Sequence, residues 1–402
     1  MIKRILFSLL ACVMVIPVVA QKELKTLRTL VKAKNTAEAM KEVARLESDS
    51  ICQFMPKLYE LAAKVHIQIN DVENEKVYLK KECDTLKLFE STRQIIRNLM
   101  KADSLERVQK EYLGKEHNEN EGDVKIIKRY YKNLEAGANY FFSRQNYKEA
   151  QRHLGVLLSM SHSDLTDDFA LDAQSKEYAT CAYMYTYSAF QNGDYSEVER
   201  YKSLLLSDEQ YFESSLEMYA RTANDCGKTD VFETYLEMGV VSMPLHDYFF
   251  DELATLYITD KRYAQSVNLA DKALATDATA LKAMYLKAYA LFQMEEEKAC
   301  IEVSKKLVET DTAQYYIEAN YYAGKLIMNE LETIYLPTRI GSEAFEWAKS
   351  EMKRVCSEAR PYLETYRKLA PSQSEKWAPL LYRIYLELNM GPEFENISRY
   401  VQ

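Results

Sequence analysis

Apolar residues along this chain recur at intervals of three and four. The stretch "LYELAAKVHI" (Leu58 to Ile67) is typical, and the same spacing continues to the C-terminus. That period places side chains on one face of a helix. No segment alternates apolar and polar positions as a half-buried strand does. Strands and tight turns draw on glycine and proline, which helix interiors avoid. The chain has 10 glycines and 8 prolines in 402 residues, where roughly 7% and 5% are usual. The pattern predicts an all-α fold.

Within that pattern one motif recurs. "YMYTYSAFQNGDY" begins at Tyr183 and "YLKAYALFQ" at Tyr285, with Tyr, Tyr, Phe and Gln at the same spacing. At about 100° per residue, Ala182, Tyr185, Thr186 and Ala189 share one direction. Tyr183, Tyr187 and Phe190 average roughly 115° away. The second copy divides in the same way, Met284, Lys287, Ala288 and Leu291 against Tyr285, Tyr289 and Phe292. Gln191 and Gln293 flank the second face. Two accounts of this ladder stay open: a binding surface, or wedges between successive helices.

Three short segments align as helix openings: "NYKEA" (Asn146–Ala150), "GDYSEV" (Gly193–Val198) and "KRYAQS" (Lys261–Ser266). Each has a helix before it with small residues mid-face, and a second helix after it. The best copies are tandem. Asp247–Ala280 holds Phe250, Leu253, Ala254, Tyr257, Tyr263, Ser266, Ala270, Ala273 and Asp277. Leu281–Gln314 answers with Met284, Ala288, Leu291, Cys300, Ser304, Leu307 and Asp311. This series resembles the tetratricopeptide repeat, a helix–turn–helix unit of about 34 residues. Lys287, where Leu is usual, and Glu297, in place of the opening Tyr, depart from it. "PYLETYRKLAPSQ…LLYRIYLELNM" and "DTLKLFESTRQIIRNLMKADSLE" (Asp84–Glu106) look like the closing and N-terminal segments of exported tetratricopeptide proteins common in Bacteroidetes, most without an assigned activity.

The resemblance implies a right-handed α-solenoid of helical hairpins. Degenerate repeats are expected over 21–113 and clearer ones over 124–402. The best copies are 131–164, 179–212, 247–280 and 281–314, with 315–402 interrupted by an insertion, all in one continuous stack. "GKEHNENEGD" (Gly114–Asp123) and "SHSDLTDDF" (Ser161–Phe169) are expected as loops, the former mobile. Pro361 predicts a kink or a restart. Ser372 and Glu375 have capping-box spacing ahead of the last unit.

The N-terminus changes the compartment. Lys3 and Arg4 precede an apolar run from Ile5 to Ile16, then Pro17 and the small residues up to Ala20. Residues 1–20 therefore have the layout of a secretory signal peptide, too short to span a bilayer. The mature chain, with no transmembrane segment, is then expected in the periplasm. The alternative is a lipid anchor at Cys12, which leaves the greasy run Val13–Val19 on the mature protein. Without the leader, 52 bases fall to 50 against 61 acids, a net of −11. That balance argues against nucleic acid and anionic lipid as partners. Six cysteines remain, Cys52, Cys83, Cys181, Cys226, Cys300 and Cys356. An even count in an exported chain permits disulfides, but their helical spacing favours buried, free thiols, with Cys52 and Cys83 the pair to doubt.

Candidate chemistry is sparse. The five histidines (66, 117, 153, 162 and 246) lack metal-ligand spacing, and no CxxC is present. His162 beside Asp164, Asp167 and Asp168 lacks the glycine of a calcium loop. There is no phosphate-cradling loop and no GxSxG elbow. An all-helical enzyme cleaving glycans with two carboxylates needs aromatic platforms and glycine-bent loops, which two tryptophans and ten glycines supply poorly. The expectation is a non-enzyme with no cofactor and no metal. Its function is a protein- or peptide-binding scaffold, with glycan binding as the alternative. The resemblance places Tyr183, Tyr187, Phe190, Gln191, Tyr285, Tyr289, Phe292 and Gln293 on the concave face. Relatives that grip C-terminal carboxylates use Lys and Asn at fixed groove positions; Asn139 matches one, but Glu135 stands where the Lys belongs.

Overall fold

Six helix starts among the described residues are held by short polar side chains. Asn35, Asp84, Asn120, Asn146, Ser175 and Ser342 each accept a hydrogen bond from a backbone N–H in the first turn they precede, satisfying a donor the helix itself leaves free. The computed structural model describes residues 23–311 and 315–401. The proposed leader, and Cys12 with it, lies outside the described residues.

The chain folds as two compact units, one reaching Cys226 and one starting at Gly227. The first contains α1 (residues 23–32), α2 (Thr36–Glu47), α3 (Pro56–Tyr78), α4 (Thr85–Tyr112), α5 (Glu121–Ser143), α6 (Tyr147–Met160), α7 (Lys176–Gln191), α8 (Tyr195–Val198), α9 (Lys202–Leu205) and α10 (Phe212–Asp225). The second contains α11 (Thr229–Ser242), α12 (Asp247–Thr259), α13 (Tyr263–Thr276), α14 (Leu281–Gln293), α15 (Glu297–Thr310), α16 (Tyr316–Asn329), α17 (Glu343–Leu369), α18 (Ser374–Glu387) and α19 (Gly391–Ser398). Among the described residues there is no strand. Within each unit helices pack chiefly on their neighbours in sequence, which is how a stack of helical hairpins is built. The expected all-α solenoid class is thus observed.

The tandem repeat is metrically regular. α12 and α14 begin at Asp247 and Leu281, and α13 and α15 at Tyr263 and Glu297. The turns match too: Lys261 and Glu295 both take positive φ, 58° and 60°. The small signature residues Ser266, Ala270, Ala288, Cys300 and Ser304 are all fully buried. They form the seams where the helices of a hairpin approach. Lys287 is half-buried and its Nζ donates to Asp271 Oδ1 at 2.6 Å, so a cross-hairpin ion pair replaces the expected Leu. Glu297 accepts from Asn329 Nδ2 at 2.7 Å, a tie to α16 where a Tyr is usual.

Several expectations need correction. The polar stretch 114–123 is shorter as a loop than predicted, because Asn120 caps α5 and Glu121–Asp123 form its first turn. His117 Nε2 lies 2.8 Å from Asp103 Oδ1 and ties the loop to α4. The 161–169 segment is a loop, as expected, and is pinned: Leu165 and Thr166 are buried in a 3-10 turn, and the Thr166 hydroxyl donates to the Met160 carbonyl. The second helix of the central repeat is broken into α8 and α9. Tyr201, between them, sits with its ring edge-on to Tyr185 at 5.5 Å. Of the two outcomes expected at Pro361, a kink or a restart, the restart does not occur, since α17 runs through it. The capping box does not form, since Gln373 occupies the N-cap of α18 and makes no side-chain bond there. The six cysteines are free, but only Cys52, Cys300 and Cys356 are buried, and Cys226 is exposed.

Candidate functional site

The aromatic ladder sits on the first helices of two hairpins, and the helical period orders its faces as the sequence predicts. Ala182, Tyr185, Thr186 and Ala189 of α7 are buried, as are Met284, Ala288 and Leu291 of α14, while Lys287, expected with them, is half-buried. Tyr183, Tyr187, Phe190, Tyr285, Tyr289 and Phe292 are all half-buried, and Gln191 and Gln293 are exposed. The ladder is therefore partly packed and partly presented.

Its first rung is built identically in both copies. Tyr183 stacks on Tyr211 with centroids 4.5 Å apart and planes at 17°. Tyr285 stacks on Tyr315 at 4.8 Å and 23°. Tyr211 and Tyr315 are the N-cap residues of α10 and α16, the next first helices. An aspartate steers each: Asp208 Oδ1 accepts from the Tyr211 N–H at 3.2 Å, and Asp311 Oδ2 from the Tyr315 N–H at 2.6 Å. Sequence reasoning missed these capping tyrosines. The available signal was an Asp followed three or four residues later by Tyr, ahead of each helix.

The second rung differs between the copies. Tyr187 is hemmed by Phe142 at 5.9 Å and Tyr147 at 5.6 Å, from the preceding hairpin. Burial raises its phenol pKa above the ordinary value. Tyr289 meets Tyr263 edge-on at 6.3 Å. Phe292 stacks on Tyr322 at 4.5 Å, with the Lys325 ammonium 5.3 Å from the ring centre.

The second copy lines an open groove. α12 and α14 flank a concavity of about 510 Å³, walled by Phe250, Ile258, Tyr285, Tyr289 and Tyr315. Lys282 stands on its wall and donates to Asp247 Oδ1 and Asp251 Oδ2, each at 2.7 Å. Those two bonds raise the lysine pKa, and the one to Asp247 lowers that carboxyl's. A second concavity of about 390 Å³ shares Phe250, Lys282 and Tyr315 with the first. Chemically the site offers aromatic contact area and a short charged rail.

The remaining candidates fall elsewhere. Glu135 accepts from Lys132 Nζ at 2.7 Å, so the carboxylate-gripping pair is not assembled. His162 Nε2 lies 3.2 Å from the Tyr178 hydroxyl, and Asp164 pairs with Arg107 at 3.0 Å. Among the described residues no group of three or more His, Cys, Asp or Glu is placed to hold a metal, and no helix is long and apolar enough to cross a membrane.

No family model matches the chain, and no curated protein matches it. Among solved structures it is similar to the TPR domain of P58(IPK), at 12% identity and TM-score 0.24, over 95% of this chain and 98% of that one. It is also similar to a circular tandem repeat protein with novel repeat topology, at 11% identity and TM-score 0.24, over 94% and 86% of the two chains. A human IFIT1 dimer with PPP-AAAA follows at 12% identity and TM-score 0.23, over 93% and 88%. The repeat assignment rests on the helices themselves.

Proposed function

We propose that the protein is a non-catalytic scaffold that takes an extended peptide in the α12–α14 groove. One observation carries this: two tandem first helices frame an aromatic-walled concavity beside a lysine held in place by two aspartates. Half-buried tyrosines already ordered by stacking give large contact area at little further entropy cost. The Lys282 rail supplies directional polar contact along the groove. Export rests on the leader residues Lys3 to Ala20, and Edman sequencing of the mature protein starting at Gln21 would support it; a chain retaining Met1, or one acylated at Cys12, would overturn the periplasmic placement.

The groove is tested with random peptides displayed on phage, selected against the intact mature chain. The expected result is an enriched peptide class whose affinity falls about 30-fold or more in Tyr289→Ala, as a ~2 kcal/mol aromatic anchor requires. Failure to enrich any peptide, or an enriched class indifferent to Tyr289→Ala, overturns the proposal. Retardation by a polysaccharide gel, lost in the same variant, would assign the groove to glycans instead.

A further inference from the structure

The second helices of the first unit enclose a cleft that the ladder does not touch. Its volume is about 740 Å³. α4 contributes Arg93 and Arg97, α6 contributes Lys148 and Arg152, and Arg200 follows α8. Five cations thus converge, in a chain whose formal net charge is −9. The acids nearby are Asp194 and Glu197 on the wall, with Glu90 and Glu149 paired to Arg93 and Arg152. Glu197 pairs with Arg200 at 3.0 Å. Asp194 is taken up by Gln151 and Ser196 rather than by a cation. Arg97 and Lys148 are exposed and have no carboxylate partner among the described residues; Arg97 donates only to the neutral Gln94.

Arg93 is the buried member of the five, its side chain 8% exposed. Its Nη2 donates to Glu90 Oε1 at 3.0 Å, and its Nε is buried with no acceptor. A buried donor on a cation is costly to leave unpaired. Burial pulls the Arg93 pKa down; Glu90 and Glu149 oppose that, while Arg152 and Arg97 add like-charge repulsion. His66 and His153 lie in the same field. Burial chiefly depresses both, and Arg93 adds to it. Crowded guanidinium groups with an orphaned N–H and two free cations at the rim form an arrangement that an oxyanion would relieve.

We propose that this cleft binds a small ligand carrying two or more oxyanion groups, phosphate or carboxylate, with Arg93 at the buried end and Arg97 and Lys148 at the rim. The site is separate from the groove of the second unit and does not depend on it.

The test is calorimetric titration of the intact mature chain at near-physiological salt, with tripolyphosphate in one arm and citrate in the other. Saturable binding by at least one probe is expected. Charge-assisted contacts of this kind predict at least a tenfold loss of affinity in Arg97→Gln/Lys148→Gln. Both substituted side chains are exposed, so the fold should survive. Lys41→Gln, on α2, should bind as the parent does. Preference for tripolyphosphate assigns the ligand to phosphate chemistry and preference for citrate to carboxylates. No saturable binding in either arm overturns the proposal, as does binding unchanged in the double variant.

Discussion

Gly239→Ala is a sharp test of how the hairpins of the second unit close. Gly239 lies in α11, where an added Cβ would fall within 2.7 Å of three ring carbons of Phe249 on α12. The nearest of them is 2.3 Å away, and ordinary contact begins at about 3.5 Å, so the ring or the helix must move by more than an ångström. Phe249 is fully buried, with His246 and Tyr248 against its ring. Overpacking of this kind costs ~1–3 kcal/mol and sometimes more. Alanine returns ~1 kcal/mol through its helix propensity. We take the steric side at or above the top of its range and expect a net loss of about 2 kcal/mol. For a unit of this size that is a fall of ~4–8 °C in Tm. Gly391→Ala, at the first position of α19 with nothing within 4 Å of the new Cβ, is the control and should be neutral or slightly stabilising. Adding Phe249→Leu to Gly239→Ala should recover part of the loss, with a coupling of at least ~0.5 kcal/mol. Calorimetry and urea titration read these three variants and Phe249→Leu alone, which closes the cycle. If Gly239→Ala melts at or above the parent temperature, the close approach is not a constraint and the reasoning fails.

The turns offer a stabilising change. Lys261→Gly and Glu295→Gly release positive-φ strain at φ 58° and 60° and should each gain ~0.5–1 kcal/mol; a lower denaturation midpoint in both would contradict the argument. Cys226 should be the first thiol alkylated in the native protein, since it is exposed, whereas burial pushes the Cys300 thiol up to about 11; mass-mapped iodoacetamide labelling decides it, and faster modification of Cys300 would refute it. His66, 7% exposed, is held neutral by burial with its pKa lowered to about 4 from the usual 6.5. The unfolded state therefore binds the proton first, and stability is lost as pH falls from about 6.5 to about 4, by about 3 kcal/mol in all. Denaturant midpoints across that window should fall less steeply in His66→Gln than in the parent, and parallel curves would exclude the histidine as a source.

The repeat was legible because its determinants are local. A hairpin is specified by small residues three and four apart on each helix, and by the distance between the two helices, all within one repeat length. Ser266, Ala270, Cys300 and Ser304 announced the seams directly, and all are fully buried. The turns were harder to see, because Lys261 and Glu295 carry the left-handed backbone without a glycine to mark it. The halves of the ladder were legible by angle, but its stacking on Tyr211 and Tyr315 was not, because those residues belong to the next helix pair. The break between α8 and α9 was not legible either: Tyr201, which lies there, has an ordinary periodicity, and its packing between Tyr178 and Tyr185 is visible only in three dimensions.

The basic cleft shows the limit of local reading most clearly. Arg93, Lys148 and Arg200 stand about fifty residues apart, each on or beside a different second helix, and each looks like a routine surface charge in its own window. What makes them a cluster is the stacking of hairpins, which brings equivalent helix faces side by side at every repeat. A charge that recurs on the second helix is thereby multiplied along the stack, whereas a charge inside a seam must find its partner on the helix it packs against. Lys287 illustrates the second case: it occupies an apolar signature position, and its partner Asp271 lies on the adjoining helix α13. Charged departures from the repeat pattern therefore divide by helix face. Lys287, facing a seam, is neutralised by Asp271 and serves the fold; the cleft cations accumulate across repeats, Arg93, Arg152 and Arg200 each paired with a glutamate three residues earlier, and Arg97 and Lys148 without a carboxylate partner among the described residues.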